Sequence, residues 1–136
     1  MEKNVPTILV VEDEKSLLKV WAEIFRREGL NVLSASDEQS AINMALRWRP
    51  NLVLVDLVMS ISLIKKLREN RWGQTVPVMF LSGWLDMEAI QERGTAASET
   101  RDSYFHDNWN FDQVVQEVKN KLEQIQAGQA RAKIKV

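Results

Sequence analysis

The sequence predicts an α/β protein: a doubly wound parallel sheet with helices on both faces. Short apolar runs without alternation recur along the chain, and such runs are typical of strands that are buried on both faces. Segments with apolar residues at helical spacing separate these runs. Alternating strands and helices require right-handed crossovers, which distribute the helices over both faces and produce a three-layer sandwich. The 136 residues are enough for one domain.

The first half of the chain contains two strand–helix units. In order, we predict a strand over 7–11, a helix ending at Gly29, a strand over 31–35 and a helix ending before Pro50. Trp21 lies on the apolar face of the first helix and is predicted to be in the core. Gly29 suits the residue just past a helix, with Leu30 placed for the accompanying contact. Ser36 and Gln39 match a capping box at the second helix.

The second half contains three further strands around less regular segments. We predict a central strand from Leu52 that ends at Asp56, then a short helix near Ile64 and a strand over 76–81. A brief helix around Met87 and Ile90 follows, and then an irregular stretch over 94–102. Next come an edge-type strand over 103–106 and an amphipathic last helix from about Val114 to Ile125. We expect a frayed tail from Ala127, which divides the chain into a domain over 1–126 and a flexible segment over 127–136.

Composition excludes several classes of function. The formal net charge is −1, so no global positive field attracts nucleic acid or an anionic membrane. Cysteine is absent, which excludes disulfides and thiolate ligands. The N-terminus lacks the apolar core of a signal peptide, and no apolar run is long enough to span a bilayer. We therefore expect a cytoplasmic protein with no direct contact to nucleic acid or membrane.

Acidic and hydroxyl side chains follow the predicted strands where each one ends. Glu12 and Asp13 follow the first strand, Asp56 ends the third, Ser82 follows the fourth and Asp107 the fifth. Acids that converge on one edge repel each other unless a cation is present, and oxygen ligands in an open site suit Mg²⁺. A carboxylate beside such an ion can act as a nucleophile and form an acyl phosphate. The alternative is that these acids mark only where buried strands return to water.

Three segments of the chain resemble the receiver domain of two-component response regulators. They are Ile8-Leu-Val-Val-Glu-Asp-Glu14, Pro50-Asn-Leu-Val-Leu-Val-Asp56 and Val76-Pro-Val-Met-Phe-Leu-Ser-Gly83. The resemblance covers roughly residues 7–125. It implies a flavodoxin-like five-stranded sheet in the order 2-1-3-4-5. It also implies a phosphorelay protein rather than an enzyme, which takes a phosphoryl group from a histidine kinase or phosphotransfer protein with Mg²⁺ bound and acts on a downstream effector; a homodimer is left open.

The resemblance also implies a role for particular residues. Asp56 matches the phosphoacceptor, Glu12 and Asp13 the metal-binding acids, the backbone carbonyl of Val58 a further metal ligand, Ser82 the hydroxyl that turns to the phosphoryl group, and Tyr104 the aromatic residue whose rotation reports phosphorylation. These roles together describe an aspartyl phosphate site that signals by conformational change.

The chain departs from the family pattern at the fifth strand. Asp107 stands where the family has lysine, and Asn108 where it has proline. A charge pair at about 4 Å is worth roughly 4 kcal/mol at an effective dielectric near 20, so the reversal of sign is a large change. The family bond is cis, whereas we predict a trans Asp107–Asn108 bond and a rearranged loop, because a non-proline cis bond costs roughly 3–4 kcal/mol.

A second departure is the loop that follows Asp56. About four residues, roughly one helical turn, are missing after Met59. We expect the third helix either to lie closer to Asp56 or to unwind at its first turn, and we hypothesise that Lys65 or Lys66 supplies the lost cation.

Two other functions compete with phosphotransfer. One is a pseudo-receiver, an interaction module with the same fold and no productive phosphotransfer. The other is a small hydrolase with Asp56 as nucleophile, although Val58 stands where a second catalytic acid would be expected.

Overall fold

The structure, a computed structural model, describes residues 4–81, 103–105 and 110–134. Their five strands form one sheet in the order β2-β1-β3-β4-β5, and every adjacent pair is parallel. The strands are β1 (Thr7–Val11), β2 (Asn31–Ala35), β3 (Leu52–Asp56), β4 (Val78–Leu81) and β5 (Ser103–Phe105). The predicted α/β class and strand order are confirmed.

Helices connect the strands and follow the last one. They are α1 (Lys15–Arg27), α2 (Glu38–Trp48), α3 (Leu57–Glu69) and α4 (Phe111–Ile134), with a short 3₁₀ turn at Trp72–Gln74. The backbone of α4 stays helical past Ala127, where a frayed tail was expected. The division of the chain at residue 126 stays a prediction. The brief helix near Met87 and Ile90 and the irregular stretch over 94–102 lie outside the described residues.

Each face of the sheet carries its own hydrophobic cluster, because successive strand side chains point to opposite faces. On one face α2 and α3 pack on the sheet through Ala41, Ala45, Leu63 and Leu67. On the other face α1 and α4 pack through Trp21, Phe25, Val114, Val118 and Leu122. Trp21 is fully buried, with its ring 5.6 Å from that of Phe25 and 4.7 Å from that of Phe111. Its predicted place in the core is confirmed.

The end of α1 follows the sequence closely. Gly29 has a φ of 85° and donates its N–H to the carbonyl of Arg26, and Leu30 donates to the carbonyl of Phe25. This pair of bonds is the Schellman motif, and it satisfies carbonyls that a helix end would otherwise leave without partners.

The start of α2 differs from the prediction by one residue. Asp37 is the N-cap, and its carboxylate accepts from the Ser40 N–H at 2.8 Å. The predicted capping box of Ser36 and Gln39 was wrong, because the extended backbone at Asp37 aims a carboxylate at the first free N–H groups.

Candidate functional site

The register of the sheet brings the acids of β1 and β3 to the same edge. Val11 lies opposite Val55 on neighbouring parallel strands, so Glu12 and Asp13 emerge beside Asp56. One carboxylate oxygen from each of these three acids lies within 4.8 Å of the others. The sequence predicted this convergence, because parallel strands place their carboxyl ends together.

Glu12, the buried acid of this cluster, has a clearly shifted pKa. It is 5% exposed, and its carboxylate accepts one N–H, from Glu14, at 3.3 Å. Burial raises the pKa of Glu12 from 4.5 to about 7, and the charges of Asp56 and Asp13 add to this rise, while the bond from the Glu14 N–H opposes it. The pocket therefore holds more negative charge than its surroundings balance.

Asp13 and Asp56 leave the cluster open on one side. Asp13 is exposed and Asp56 is half-buried, in contrast to the buried Glu12. An ion or a small anionic group can therefore approach the two outer carboxylates from solvent, while Glu12 lies beneath them.

The donor set suits Mg²⁺. Three carboxylate oxygens from Glu12, Asp13 and Asp56 are close enough to share one ion, and hard oxygen ligands in an open site are what Mg²⁺ prefers. The raised pKa of Glu12 points the same way, because an ion in the pocket would offset the repulsion that causes part of it. These three residues would hold the ion.

The structure describes only part of the remaining predicted site. Tyr104 lies in β5 opposite Phe80, and Leu81 lies opposite Asp56 on the neighbouring strand β4. Ser82 and Asp107 lie outside the described residues. The roles of all three predicted residues therefore remain predictions.

The structure does not support the hypothesis that Lys65 or Lys66 replaces the family lysine. Lys66 forms an ion pair with Glu38 of α2 at 2.6 Å, and Lys65 lies on the exposed side of α3. Nine helical residues place the Cα of Lys65 about 13 Å from that of Asp56, farther than a lysine side chain reaches. Lys66 therefore places its charge at the exposed surface between α2 and α3 rather than in the acidic pocket.

Of the two expectations for the third helix, the structure agrees with the first: the helix lies closer to Asp56. The helix α3 begins at Leu57, immediately after Asp56, so the shortened loop has brought the helix to the acid. This start also places Ser60, which is 1% exposed, one helical turn beyond Asp56. Ser60 was not predicted to lie near the site. The shortened loop after Asp56 was the one feature of the sequence that pointed to it.

Comparison with known proteins identifies the family. A family model described as the response regulator receiver domain matches residues 8–126. The chain belongs to the response regulator receiver domain family. Receiver domains are signalling modules that interact with histidine kinases or phosphotransfer proteins and with effectors, and they generally bind Mg²⁺ at an acidic pocket.

Two curated relatives illustrate the sequence similarity of this receiver domain. It is 31% identical over 113 residues to the probable transcriptional regulatory protein TcrX of Mycobacterium tuberculosis, covering 80% of this chain and 46% of that protein. It is 28% identical over 119 residues to sporulation initiation phosphotransferase F of Bacillus subtilis, covering 85% of this chain and 92% of that protein. The chain thus spans less than half the length of the transcriptional regulators TcrX and ycf27 that it matches.

Solved structures of receiver domains share the fold. The receiver domain of the hybrid histidine kinase CckA is 27% identical with a TM-score of 0.65, and the match covers 85% of this chain and 98% of that one. A response regulator receiver domain protein from Clostridium thermocellum, 17% identical, has a TM-score of 0.76 with coverage of 90% and 98%. Within the described residues, no helix is both long and apolar enough to cross a membrane.

Proposed function

We propose that this receiver domain accepts a phosphoryl group on Asp56 and signals by conformational change. The observation that carries the proposal is the cluster of three carboxylates at the edge of the sheet, with oxygens within 4.8 Å of one another and Asp56 on its open side. The donor is a histidine kinase or a phosphotransfer protein. A downstream effector protein or domain then reads the change, and the site of action is cytoplasmic.

The transfer exchanges one bond to phosphorus for another. A carboxylate oxygen of Asp56 forms the new bond, while the bond between phosphorus and the donor's histidine nitrogen breaks and that imidazole retains its electron pair. Mg²⁺, when bound by Glu12, Asp13 and Asp56, supplies positive charge that offsets the repulsion between these acids and the phosphoryl oxygens. Asp56 has access to the donor because it is only half-buried.

The neighbouring predicted residues complete the proposed site. Ser82 donates its hydroxyl to a phosphoryl oxygen, and Tyr104 changes rotamer in response. Val58 contributes its backbone carbonyl to the ion. Asp107 stands where the family has a cation, so the phosphorylated state lacks one charge pair that relatives with lysine make.

A pseudo-receiver is the second candidate function. Two observations favour it: the acid at position 107 and the start of α3 directly after Asp56. The acid at position 107 removes a positive charge that the family lysine would offer a phosphoryl group, and the start of α3 leaves no loop between Asp56 and the helix. In this alternative the domain binds partners through its surface without accepting phosphate.

A titration with a phosphoryl analogue separates the two functions. Mg²⁺ and then beryllofluoride are added to the intact chain while tryptophan fluorescence is followed. Phosphotransfer predicts a saturable response to each, with the beryllofluoride response lost in Asp56→Asn and retained in Asp112→Asn, which changes an exposed acid of α4. A Mg²⁺ response without a beryllofluoride response would establish the pseudo-receiver instead.

A further inference from the structure

The start of α3 conflicts with one of the proposed metal ligands. In an α-helix each carbonyl accepts the N–H four residues later and points toward the helix C-terminus. Val58 is the second residue of α3, so its carbonyl points along the helix toward the amide of Ser62. That direction leads away from Asp56 and the other two acids, and the carbonyl cannot reach an ion that they hold while this turn is helical.

The helix start also competes with a cation for the same carboxylate. Because α3 begins at Leu57, Asp56 is the last residue of β3 and directly precedes the helix. The first N–H groups of a helix lack intrahelical partners and carry partial positive charge, which favours a carboxylate at the N-cap. A bound cation would draw on the Asp56 carboxylate and weaken its favourable interaction with the start of the helix.

The rest of α3 is fixed in place from its second turn onward. Glu38 of α2 accepts from the Ser62 hydroxyl at 2.9 Å and pairs with Lys66 at 2.6 Å. The side chains of Ser60, Leu63 and Leu67 are buried against the sheet. Moving the helix as a rigid body would break these contacts, whereas the turn over 57–59, whose Met59 also packs against this core, precedes them in the chain.

We propose that the first turn of α3, residues 57–59, unwinds when Mg²⁺ binds, and that unwinding turns the Val58 carbonyl toward the ion. This inference rests on the proposed function, since it concerns the same ion. It makes the helical propensity of this one turn a determinant of metal affinity.

Pairs of alanine and glycine variants test the coupling. Replacing alanine by glycine lowers the equilibrium constant for the helical conformation at that position about fivefold. Both residues keep the backbone carbonyl. If unwinding accompanies binding, Val58→Gly binds Mg²⁺ up to about fivefold more tightly than Val58→Ala. The matched pair is Lys65→Gly and Lys65→Ala on the exposed side of the same helix, for which we expect equal Mg²⁺ affinities.

Amide hydrogen exchange supplies a second readout that does not depend on phosphotransfer. The amides of Ser60, Ile61 and Ser62 donate to the carbonyls of residues 56, 57 and 58 while the first turn is intact. Unwinding predicts that saturating Mg²⁺ accelerates exchange at these three amides and leaves the amide of Leu67 protected.

The outcomes separate this inference from the proposed function. Binding of Mg²⁺ with equal affinity in the two Val58 variants and with unchanged exchange would overturn the unwinding and leave an ion held by carboxylates and water alone. A chain whose fluorescence and stability do not respond to Mg²⁺ at all would overturn the metal site itself, and the unwinding with it.

Discussion

Glu12 and Asp13 are neighbours in the sequence and differ sharply in environment. Glu12 is buried beneath the pocket and Asp13 is exposed at its mouth. Burial together with the two nearby carboxylates raises the pKa of Glu12 to about 7, so this residue releases its proton at a much higher pH than an exposed glutamate does. The charge of the pocket therefore changes within the physiological range of pH when no cation is bound.

The raised pKa of Glu12 predicts how stability depends on pH. The folded chain keeps the Glu12 proton up to about pH 7, whereas the unfolded chain releases it near 4.5, so without divalent ions this residue lowers the free energy of unfolding as pH rises between these values. Glu12→Gln has no titrating group at this position and therefore removes this fall in the free energy of unfolding. The variant should gain up to about 3 kcal/mol over the natural chain above pH 7, less to the extent that solvent at the open side screens the charge.

Urea denaturation in EDTA at a series of pH values from 4 to 8 measures this gain. Glu117→Gln, which changes an exposed acid of α4, serves as the control and should track the natural chain. A difference between Glu12→Gln and the natural chain that stays constant with pH would contradict the prediction.

At the scale of elements, the two ends of α3 are built differently. Its last turn leads into the 3₁₀ turn, where the Arg68 guanidinium donates to the carbonyls of Gly73 at 2.5 Å and Val76 at 2.8 Å. Gly73 packs so closely that a Cβ there would lie 1.9 Å from the Leu67 carbonyl oxygen. The C-terminal end is thus held by side-chain hydrogen bonds and close backbone packing, whereas the first turn begins directly after Asp56.

The close packing at Gly73 predicts a severe effect of one added carbon. Gly73→Ala should lower the free energy of unfolding by at least about 3 kcal/mol, because the added methyl group meets rigid backbone rather than a movable side chain. Gly128→Ala is the matched change in α4, where a Cβ meets nothing within 4 Å; it should be neutral or stabilising by up to about 1 kcal/mol. Equal urea midpoints for the two variants would refute the account of the turn.

At the scale of the whole molecule, the sheet separates two hydrophobic clusters, one on each of its faces. The cluster under α2 and α3 lies on one face of the sheet, and the cluster under α1 and α4 lies on the opposite face. None of the three acids of the pocket belongs to the second cluster, so changes in that cluster should alter global stability without removing a ligand of the pocket.

Two tryptophan variants test this separation. Trp21→Ala empties a fully buried site and should cost about 3–5 kcal/mol of unfolding free energy. Trp48→Ala changes a residue that is 48% exposed and should cost about 0.5 kcal/mol or less. Chemical denaturation gives both values, and Mg²⁺ titration under folding conditions should return the same affinity in both variants; a large loss of affinity in Trp21→Ala would show that the two faces are coupled.

Much of the architecture could be predicted from local patterns. Unbroken apolar runs indicated strands buried on both faces, and the resemblance supplied their order. Gly29 indicated the end of α1, because its left-handed conformation favours glycine and needs no distant partner. The acids of the pocket were also predictable, since parallel strands bring their carboxyl ends to one edge. The cap of α2 was missed by one residue, because Ser36 and Asp37 are both good N-caps and only the backbone path selects between them.

The sequence by itself determined which segments are strands and helices and which acids share an edge of the sheet, because these depend on periodicity and on the geometry of parallel pairing. Only the tertiary structure decided that Glu12 is buried while Asp13 is not, that α3 begins at Leu57, and that Lys66 pairs with Glu38. These features depend on how far one packed element shifts against another. A displacement of a few ångströms changes such contacts without changing any local pattern in the chain.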